Sequence, residues 1–506
     1  MTNPLFDALF APHLGKDTPF LHLLDGTTLS HDVFLRKAAQ IGGALVDMGL
    51  QPGDRLALQV AKSPEALAVY CACVQKGIIF LPLNMAYTAN ELAYFIENSG
   101  AKLVVCDPAK EADIQEITDR TGAKLVTLGA DGRGSLPEAA QSQPEQCEIA
   151  SRSSDDLAAF LYTSGTTGRS KGAMLTQDNL LSNAEVLADY WAFTEDDVLL
   201  HALPIFHTHG LFVATNVSLL TGGAMIFMPS FDAGTALEQL PRATSMMGVP
   251  TFYTRLLDHP DFTREASTHM RVFISGSAPM LAETHAQFEA RTGQRILERY
   301  GMTETNMNTS NPYEGLRKAG TVGFPLPGVE LKICNPETGE ELAQGEIGVI
   351  EVRGRNVFKG YWQMPEKTRE ELRSDGFFIT GDLGLIDEDG YVQIVGRGKD
   401  LIISGGYNIY PKEIELVIDD QPHVLESAVI GVPHPDFGES PVAIVVPDGG
   451  EPDTEQIMQA CTAELARFKH PRKIIILDAL PRNTMGKVQK NALREDYKSL
   501  FTSTES

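Results

Sequence analysis

The residues best suited to chemistry form a dense run of glycines, hydroxyls and one lysine at 162–172. The run reads Tyr-Thr-Ser-Gly-Thr-Thr-Gly-Arg-Ser-Lys-Gly and follows an apolar stretch, 157–161, that predicts a strand. Its glycines allow tight turns that point backbone N–H groups at an anion, and its hydroxyls and Lys171 add donors. This composition suits a triphosphate, although Gly172 in place of Ser or Thr excludes a Walker A loop. The residues expected to contact phosphate are Thr163, Ser164, Gly165, Thr166, Thr167, Gly168 and Lys171.

Two carboxylates and a lysine elsewhere in the chain could complete such a site. Glu304, in Tyr-Gly-Met-Thr-Glu, offers a hard oxygen ligand of the kind that holds Mg²⁺ together with ATP phosphates. Asp382, in Thr-Gly-Asp, could accept two hydrogen bonds from ribose hydroxyls. Lys487 follows a glycine in a flexible segment. Taken singly, each would also fit an ordinary helix start, turn or solvated loop.

Taken in chain order, these segments resemble the signature motifs of the adenylate-forming superfamily, which contains acyl-CoA synthetases, luciferases and peptide-synthetase adenylation domains. The matching segments are 162–172, 300–304, 380–382, 397–400, 404–407 and 481–487. They cover nearly the whole chain. The resemblance implies ATP, Mg²⁺ and coenzyme A as cofactors, with an acyl-adenylate intermediate and release of AMP and pyrophosphate.

The resemblance also implies a role for individual residues. Lys487, Glu304 and Thr163 would be catalytic, with Glu304 as the metal ligand. Besides the phosphate loop, the implied ATP contacts are Ser277, Ala278, Pro279, Glu298, Arg299, Tyr300, Gly301, Met302, Thr303, Asp382 and Arg397. Coenzyme A would pass Gly405, Gly406 and Tyr407. Lys399 would be a hinge about which the C-terminal domain rotates between the two half-reactions, which would withdraw Lys487.

Within the superfamily the chain most resembles malonyl-CoA synthetases, over the stretches 201–209, 247–255, 273–279 and 298–308. A dicarboxylate needs a cation for its second carboxylate, because an unpaired buried charge is costly. Arg255 is the first candidate and His207 the second, although an exposed helix position would explain Arg255 equally well. The expected acyl-site residues are His207, Arg255, Ser277 and Met302, and the polar side chains of Thr305, Asn306 and Asn308 suit a small acid.

Other functions remain open at this point. Methylmalonate, acetate or propionate could replace malonate, since one methyl group is worth only about 1–3 kcal/mol of discrimination. A catalytically inactive adenylate-binding protein is disfavoured by Lys487, Glu304 and the phosphate loop. A carrier-loading domain is disfavoured because no carrier module is attached.

The elements that must position these residues alternate short apolar strands with helix-length segments, which predicts an α/β fold. A large N-terminal domain, 1–395, would contain mixed or parallel sheets with covering helices. After about residue 320 the sequence pattern changes to short strands separated by Gly and Asp turns, which predicts a small barrel-like antiparallel subdomain. A hinge at 396–400 would lead to a small mobile α+β domain, 401–506, that carries Lys487.

The charge and composition of the chain limit the classes of partner that we expect it to bind. The chain has 506 residues and a formal net charge of −25, which disfavours nucleic acid and anionic membranes. None of the six cysteines lies in a C-x-x-C pair or at metal spacing with histidine, and the N-terminus lacks a signal or transit pattern. We therefore expect a cytoplasmic enzyme that binds a small dicarboxylate. A lysine acetyltransferase acting on Lys487 is a candidate partner, because acetylation would remove the charge.

Overall fold

The computed structural model describes residues 2–163, 170–278, 280–404, 407–434, 437–465, 467–483 and 486–501, with the side chains of 407 and 408 excepted. The chain folds into two compact units. The larger contains Met1–Glu330 and Val352–Phe378, and the smaller contains Leu331–Glu351 and Ile379–Ser506. The predicted α/β class, with a large N-terminal part and a smaller C-terminal part, is confirmed. The predicted domain boundary at 396–400 stays a prediction. The last change from the larger to the smaller unit falls between Phe378 and Ile379.

The first sheet of the larger unit ends at the phosphate loop. Across the described residues it has six strands, of which five are parallel and the last is antiparallel to its neighbour. In spatial order they are Lys124–Thr127, Leu103–Cys106, Arg55–Gln59, Ile79–Pro82, Leu157–Thr163 and Lys171–Thr176. The last two flank residues 164–169, so the glycine-rich run connects adjacent strands.

The second sheet of the larger unit carries the acyl-site segments. Across the described residues this sheet has nine strands, and its six central strands are parallel. In spatial order they are Phe324–Pro325, Asn306–Ser310, Leu297–Met302, Val272–Ser275, Ser245–Gly248, Val198–His201, Ala224–Phe227, Pro19–His22 and Thr28–Ser30. Helices cover its faces, which explains why its central strands are continuously apolar.

Helices of the larger unit begin at residues that suit helix N-termini. Thr176 caps the helix Gln177–Tyr190 in a capping box with Asn179, and Ser63 caps Pro64–Lys76. The α-helices are Pro4–Leu9, His31–Asp47, Pro64–Lys76, Ala89–Ser99, Glu111–Thr121, Ser135–Ala140, Gln177–Tyr190, Asn216–Thr221, Ala233–Gln239, Pro250–Asp258, Arg264–Ser267, Ala282–Thr292 and Pro365–Glu371. A π-helix spans His209–Thr215, and 3₁₀ turns span Ala11–His13, Pro108–Lys110 and Leu240–Arg242.

Aromatic side chains fill the core between the second sheet and its helices. Phe273 on a strand packs against Phe288 with ring centroids 5.0 Å apart, and Phe288 also contacts Tyr253 and Phe262. These rings are fully buried. Because such clusters bury large apolar areas, they fix the helices Pro250–Asp258 and Ala282–Thr292 against the strand ends.

The smaller unit contains two sheets. One has the strands Glu330–Cys334, Gly348–Arg353, Phe378–Ile386 and Val392–Arg397, the last two antiparallel. The other has Tyr407–Ile409, Ile402–Ser404, Gly438–Pro447 and Val424–His434 in that order, with Lys473–Ile476 parallel to Gly438–Pro447. Its α-helices are Pro411–Asp419, Thr454–Glu464 and Lys490–Tyr497, and its 3₁₀ turns are Gly398–Asp400 and Arg467–Lys469. In the described part of the chain, no helix is both long and apolar enough to cross a bilayer.

A buried histidine pair makes the stability of the larger unit depend on pH. The ring of His31 stacks between His13, 4.3 Å away, and Phe20, 4.6 Å away. Burial, together with the neighbouring His13, lowers the pKa of His31 from 6.5 to about 4. The folded state therefore favours the neutral ring. The resulting stabilisation is complete above the unfolded pKa near 6.5 and is lost as the pH falls towards 4.

We expect His31→Phe, which keeps the stacked ring but cannot bind a proton, to weaken the acid sensitivity of the fold. The shift corresponds to about 3 kcal/mol. Between pH 7 and pH 5 the Tm of the wild type should therefore fall more than the Tm of the variant, measured by calorimetry. Parallel losses of Tm in the two proteins would contradict the role given to His31.

Candidate active site

The carboxylate of Glu304 lies beside the end of the strand Leu157–Thr163, which leads into the phosphate loop. Glu304 is 4% exposed, and its Oε1 accepts hydrogen bonds from Thr163 Oγ1 at 3.3 Å and Tyr361 Oη at 3.0 Å. Thr163 is the last described residue before the loop and the last of its strand. The structure thus places Thr163 and Glu304, which lie 141 residues apart in the sequence, in direct contact.

Lys171, the first residue of the strand after the loop, lies in the same cluster. Its Nζ donates to Tyr361 Oη at 3.1 Å and to the two carboxylate oxygens of Glu371 at 3.2 and 3.1 Å. Tyr361 Oη also lies 2.6 Å from Glu371 Oε2. One phenol therefore connects the lysine and both carboxylates.

The charges of this cluster favour a divalent cation at Glu304. A phenol carries one proton, so Tyr361 can donate to only one of its two carboxylate neighbours at a time. Burial raises the pKa of Glu304, although the charge of Lys171 and the hydrogen bond from Tyr361 act against this rise. Among the described residues no cluster of three His, Cys, Asp or Glu could hold a metal by itself. The arrangement therefore fits Mg²⁺, which is usually held by one or two carboxylates plus substrate phosphates.

A second group of polar side chains lies past the carboxyl ends of the parallel strands of the nine-stranded sheet, where α/β folds bind their ligands. Ser277 follows the strand Val272–Ser275 with a positive φ of 71°, a strained conformation for a non-glycine residue. Its Oγ lies 3.2 Å from Nδ1 of His209. Gly276 permits close approach to Arg299, since a Cβ there would lie 2.4 Å from Nη1 of the guanidinium.

Arg299 is a buried cation for which the described residues supply no counter-ion. It is 3% exposed, and its Nε and Nη2 are buried without a hydrogen-bond partner in the described part of the chain. No ion pair to Arg299 is present among those residues either. Burial lowers its pKa to about 9, so the group is still charged at neutral pH but is destabilised. Since an unpaired buried charge is costly, an anion bound here would be strongly favoured.

The segment that carries His207 and His209 is held in place by a second basic side chain, that of the partly buried Lys62. Lys62 Nζ donates to the backbone oxygens of His201 and Leu203 at 2.8 and 2.9 Å and lies 2.8 Å from His201 Nδ1. His201 Nε2 in turn lies 2.8 Å from the carbonyl oxygen of Gly210, in the π-helix. These contacts position the polar stretch 207–209 beside Ser277.

Several predicted site residues are engaged elsewhere. Arg255 is exposed on the helix Pro250–Asp258. Glu298 is buried and its Oε1 lies 3.1 Å from Nδ1 of His285. Asn306 accepts a hydrogen bond from Thr208, and Asn308 accepts one from Asn356. Six further predicted residues are partly buried. Five of them lie close in the chain to Ser277 or Glu304, namely Ala278, Tyr300, Gly301, Met302 and Thr303, and the sixth, His207, lies in the segment that contains His209.

The smaller unit holds the remaining predicted residues. Asp382 is 5% exposed and pairs with Arg397 through Nε at 3.0 Å. Burial and the charge of Arg397 lower the pKa of Lys399, which lies in the 3₁₀ turn Gly398–Asp400. Lys487 is partly buried in a tight turn, where its N–H donates to Asn483 Oδ1 at 2.9 Å and its carbonyl accepts from the N–H of Asn483 at 2.9 Å.

Some predictions fall outside the described residues. These are Ser164, Gly165, Thr166, Thr167, Gly168, Pro279, Gly405 and Gly406, together with the side chain of Tyr407.

Sequence reasoning missed His209, Tyr361 and Glu371. The only sequence signal for His209 was its place in the His-Thr-His run. That signal is weak, because histidines are common in buried cores. Tyr361 and Glu371 belong to none of the recognised motifs, and their importance follows only from the contacts that they make with Glu304 and Lys171.

Comparison with known proteins identifies the class. The AMP-binding enzyme profile matches residues 12–362, and the profile of the AMP-binding enzyme C-terminal domain matches residues 413–487. The chain belongs to the AMP-binding enzyme family and is an adenylate-forming acyl-CoA ligase of that family. The resemblance inferred from its motifs is confirmed.

Solved structures extend the likeness to the whole chain. The ATP-bound MatB from Rhodopseudomonas palustris is 58% identical, with a TM-score of 0.97, 99% of this chain and 100% of that chain covered.

Curated relatives act on diverse acids. Feruloyl-CoA synthase of an Amycolatopsis species is 35% identical over 98% of both chains. The malonate–CoA ligase of Arabidopsis thaliana is 33% identical over 96% of this chain and 85% of its own length. The oxalate–CoA ligase of the same plant is 35% identical over 92% of each. Identity at this level therefore does not select the acid.

We expect Glu304→Gln to impair adenylate formation, because the amide keeps the size of the side chain but removes the charge that a divalent cation needs. The loss in kcat should be on the order of 10²-fold, as for removal of one group that stabilises transition-state charge. Pyrophosphate release should recover in part at high Mg²⁺ concentration. Full activity of the variant at low Mg²⁺ would contradict the role of Glu304 as the metal ligand.

Proposed function

We propose that this chain ligates malonate to coenzyme A through malonyl-adenylate, with ATP as the activating substrate. The observation that carries the proposal is the buried guanidinium of Arg299 beside Ser277 and His209, with Nε and Nη2 unpartnered among the described residues. A short dicarboxylate has one carboxylate to activate and one that must be neutralised. Arg299 supplies a cation for the second one, in a fork geometry that matches a carboxylate.

Arg299 replaces Arg255 as our first candidate for the distal carboxylate. The sequence suggested Arg255 because it lies in an acyl-site segment, and Arg299 was assigned to ATP. In the structure Arg255 is exposed, so water already solvates its charge and a bound carboxylate would add little. Arg299 is buried and pairs with no anion in the part of the chain that the structure describes, so pairing it would relieve an energetic cost.

A small acid with two negative groups is within the range of the family. The relatives named for malonate, oxalate and sulfoacetate are 33–35% identical to this chain, and all three acids carry a second anionic group. Malonate is preferred among them because the chain most resembles malonyl-CoA synthetases in its acyl-site segments. Methylmalonate remains the nearest competitor.

Adenylation would proceed with little proton transfer, because the attacking carboxylate is already ionised. A malonate oxygen forms a bond to the α-phosphorus of ATP, and the bond to pyrophosphate breaks. Thr163 and Lys171 flank the loop and would donate hydrogen bonds to the phosphate oxygens. Mg²⁺ held by Glu304 would supply charge neutralisation at those oxygens.

Thioester formation would follow on the same carbonyl. The thiol sulfur of coenzyme A attacks the carbonyl carbon of malonyl-adenylate, AMP leaves, and the thiol proton passes to solvent. We propose that the C-terminal segment 401–506 rotates about Lys399 between the two steps and that Lys487 serves only the first. Gly405, Gly406 and Tyr407 would then border coenzyme A. Acetylation of Lys487 by a lysine acetyltransferase would remove its charge and suppress adenylation.

The proposal is tested by measuring pyrophosphate release with ATP and a panel of acids. We expect the highest kcat/KM for malonate, with oxalate, methylmalonate and sulfoacetate below it and acetate and propionate lowest. A preference for acetate or propionate would reject the dicarboxylate pocket. Release with none of the acids would reject the proposed function.

Matched arginine variants separate the two candidates for the distal carboxylate. We expect Arg299→Gln to lower kcat/KM for malonate by more than tenfold, since a lost charged partner costs about 2–5 kcal/mol. Acetate activity, where detectable, should fall less. Arg255→Ala is the control and should leave both acids within about twofold, as for other exposed side chains. The reverse pattern would restore Arg255 as the ligand.

Lys487→Ala should impair only adenylation. The loss in kcat of the overall reaction should be about 10²–10³-fold, because the α-phosphate loses a cation as its charge develops. The same variant, supplied with synthetic malonyl-adenylate and coenzyme A, should form the thioester at near the normal rate. Circular dichroism checks that the fold is intact. A comparable loss in both half-reactions would show that Lys487 is structural.

A further inference from the structure

Glu371 makes the strongest charged contacts of the phosphate-side cluster, although it belongs to none of the recognised motifs. It is the last residue of the helix Pro365–Glu371. Both of its carboxylate oxygens contact Lys171 Nζ, at 3.2 and 3.1 Å, and Oε2 accepts a hydrogen bond from Tyr361 Oη at 2.6 Å. Its side chain is 22% exposed and that of Lys171 is 15% exposed, so water screens this pair only weakly.

The backbone around Glu371 is tied to the strand that begins with Lys171. Tyr361 forms an antiparallel bridge with Ala173, and the N–H of Trp362 donates to the carbonyl of Gly172 at 2.8 Å. The N–H of Tyr361 also donates to Thr368 Oγ1, within the helix, at 2.9 Å. The helix end that carries Glu371 is therefore held in register with the start of the strand, immediately after the phosphate loop.

These contacts restrict the ammonium group of Lys171 to one place. A lysine stem has four rotatable bonds, and an untethered ammonium would sample many positions. Here the ring of Tyr361 lies 4.1 Å from Nζ, its hydroxyl accepts one N–H, and Glu371 accepts another. A single N–H can be shared by both oxygens of Glu371, which leaves a third N–H for a phosphate oxygen.

The cluster also joins the lysine to the carboxylate on the other side of the loop. Tyr361 Oη contacts Glu371 and Glu304, and Glu304 contacts Thr163. Burial alone would raise the pKa of Glu371, but the hydrogen bonds from Tyr361 and Lys367 and the charge of Lys171 outweigh burial and lower that pKa. Glu371 is therefore an anion at neutral pH and a stable partner for Lys171.

We propose that Glu371 is a positioning residue for the ATP-dependent half-reaction. It holds the Lys171 ammonium beside the phosphate loop and, through Tyr361, fixes that ammonium relative to Glu304 before ATP binds. The inference rests on the proposed function, since it assigns Lys171 and Glu304 to the phosphates of ATP. Glu371 itself touches neither ATP nor the acid.

Single variants test whether the effect is specific to ATP. We expect Glu371→Ala to raise the KM for ATP on the order of tenfold, as for loss of a residue that orients a ligand-binding side chain. The KM for malonate and for coenzyme A should change less than twofold, and thioester formation from synthetic malonyl-adenylate should be unchanged. Glu371→Gln keeps an acceptor for Lys171 and Tyr361 and should recover part of the loss. Glu370→Ala is the matched control, because Glu370 lies on the same helix, is exposed and pairs only with Lys367 in the described chain.

A double-mutant cycle shows whether Glu371 acts through Lys171. With Lys171→Met in place, adding Glu371→Ala should cause no further rise in the KM for ATP. A full additional loss in the double variant, or equal rises in the KM of all three substrates, would overturn the inference. A lower KM for ATP in Glu371→Ala would overturn it too, because Glu371 would then compete with phosphate. A wild-type protein without malonate-dependent pyrophosphate release would instead reject the proposed function.

Discussion

The guanidinium of Arg299 is buried in the larger unit, and its Nε and Nη2 have no hydrogen-bond partner among the described residues. Under the proposed function, the acyl side of the site is organised around this buried charge. Gly276 is small where the guanidinium approaches the backbone, and Ser277 adopts a strained left-handed conformation two residues past its strand. His209 is fully buried beside them and carries an unpartnered Nε2. A folded chain tolerates such costs where a ligand offsets them, and a small dianion is the ligand that would offset these.

The phosphate side of the site contains two carboxylates, of which Glu371 is paired with Lys171 and Lys367 while Glu304 is bonded only to hydroxyl groups among the described contacts. Glu304 and Glu371 share one phenolic proton from Tyr361, and burial raises the pKa of Glu304. A cation bound at Glu304 and an anion bound at Arg299 would each offset a buried charge. Under the proposed function, a metal-bound nucleotide would supply the first and a dicarboxylate the second.

The sequence predicted the class of fold and much of its detail. Strand–helix alternation predicted the parallel sheets, and the strand predicted at 157–161 is found at Leu157–Thr163. These elements were predictable because their hydrophobic patterns are local. The helix Lys490–Tyr497 and the π-helix His209–Thr215 were not, since the first follows an irregular Gly- and Lys-containing segment and the second depends on tertiary contacts.

The site was predictable where motifs carry the chemistry and unpredictable where burial decides it. Glu304 and Thr163 were paired by motif reasoning and lie in contact. Arginine type alone could not separate Arg255 from Arg299, because the difference between them is exposure and the lack of a partner, which only the packed structure shows. For the same reason the role of Glu371 could not be predicted, because it follows from a contact with Lys171, which lies 200 residues away in the chain.

The most direct test of the central claim is an oxygen-transfer experiment. Malonate labelled with ¹⁸O in its carboxylates is incubated with the protein, ATP and coenzyme A, and the AMP is analysed by mass spectrometry. Attack of a carboxylate oxygen on the α-phosphorus predicts one ¹⁸O atom in each AMP and none in pyrophosphate. AMP without the label, or label in pyrophosphate or inorganic phosphate, would contradict activation of malonate as an adenylate.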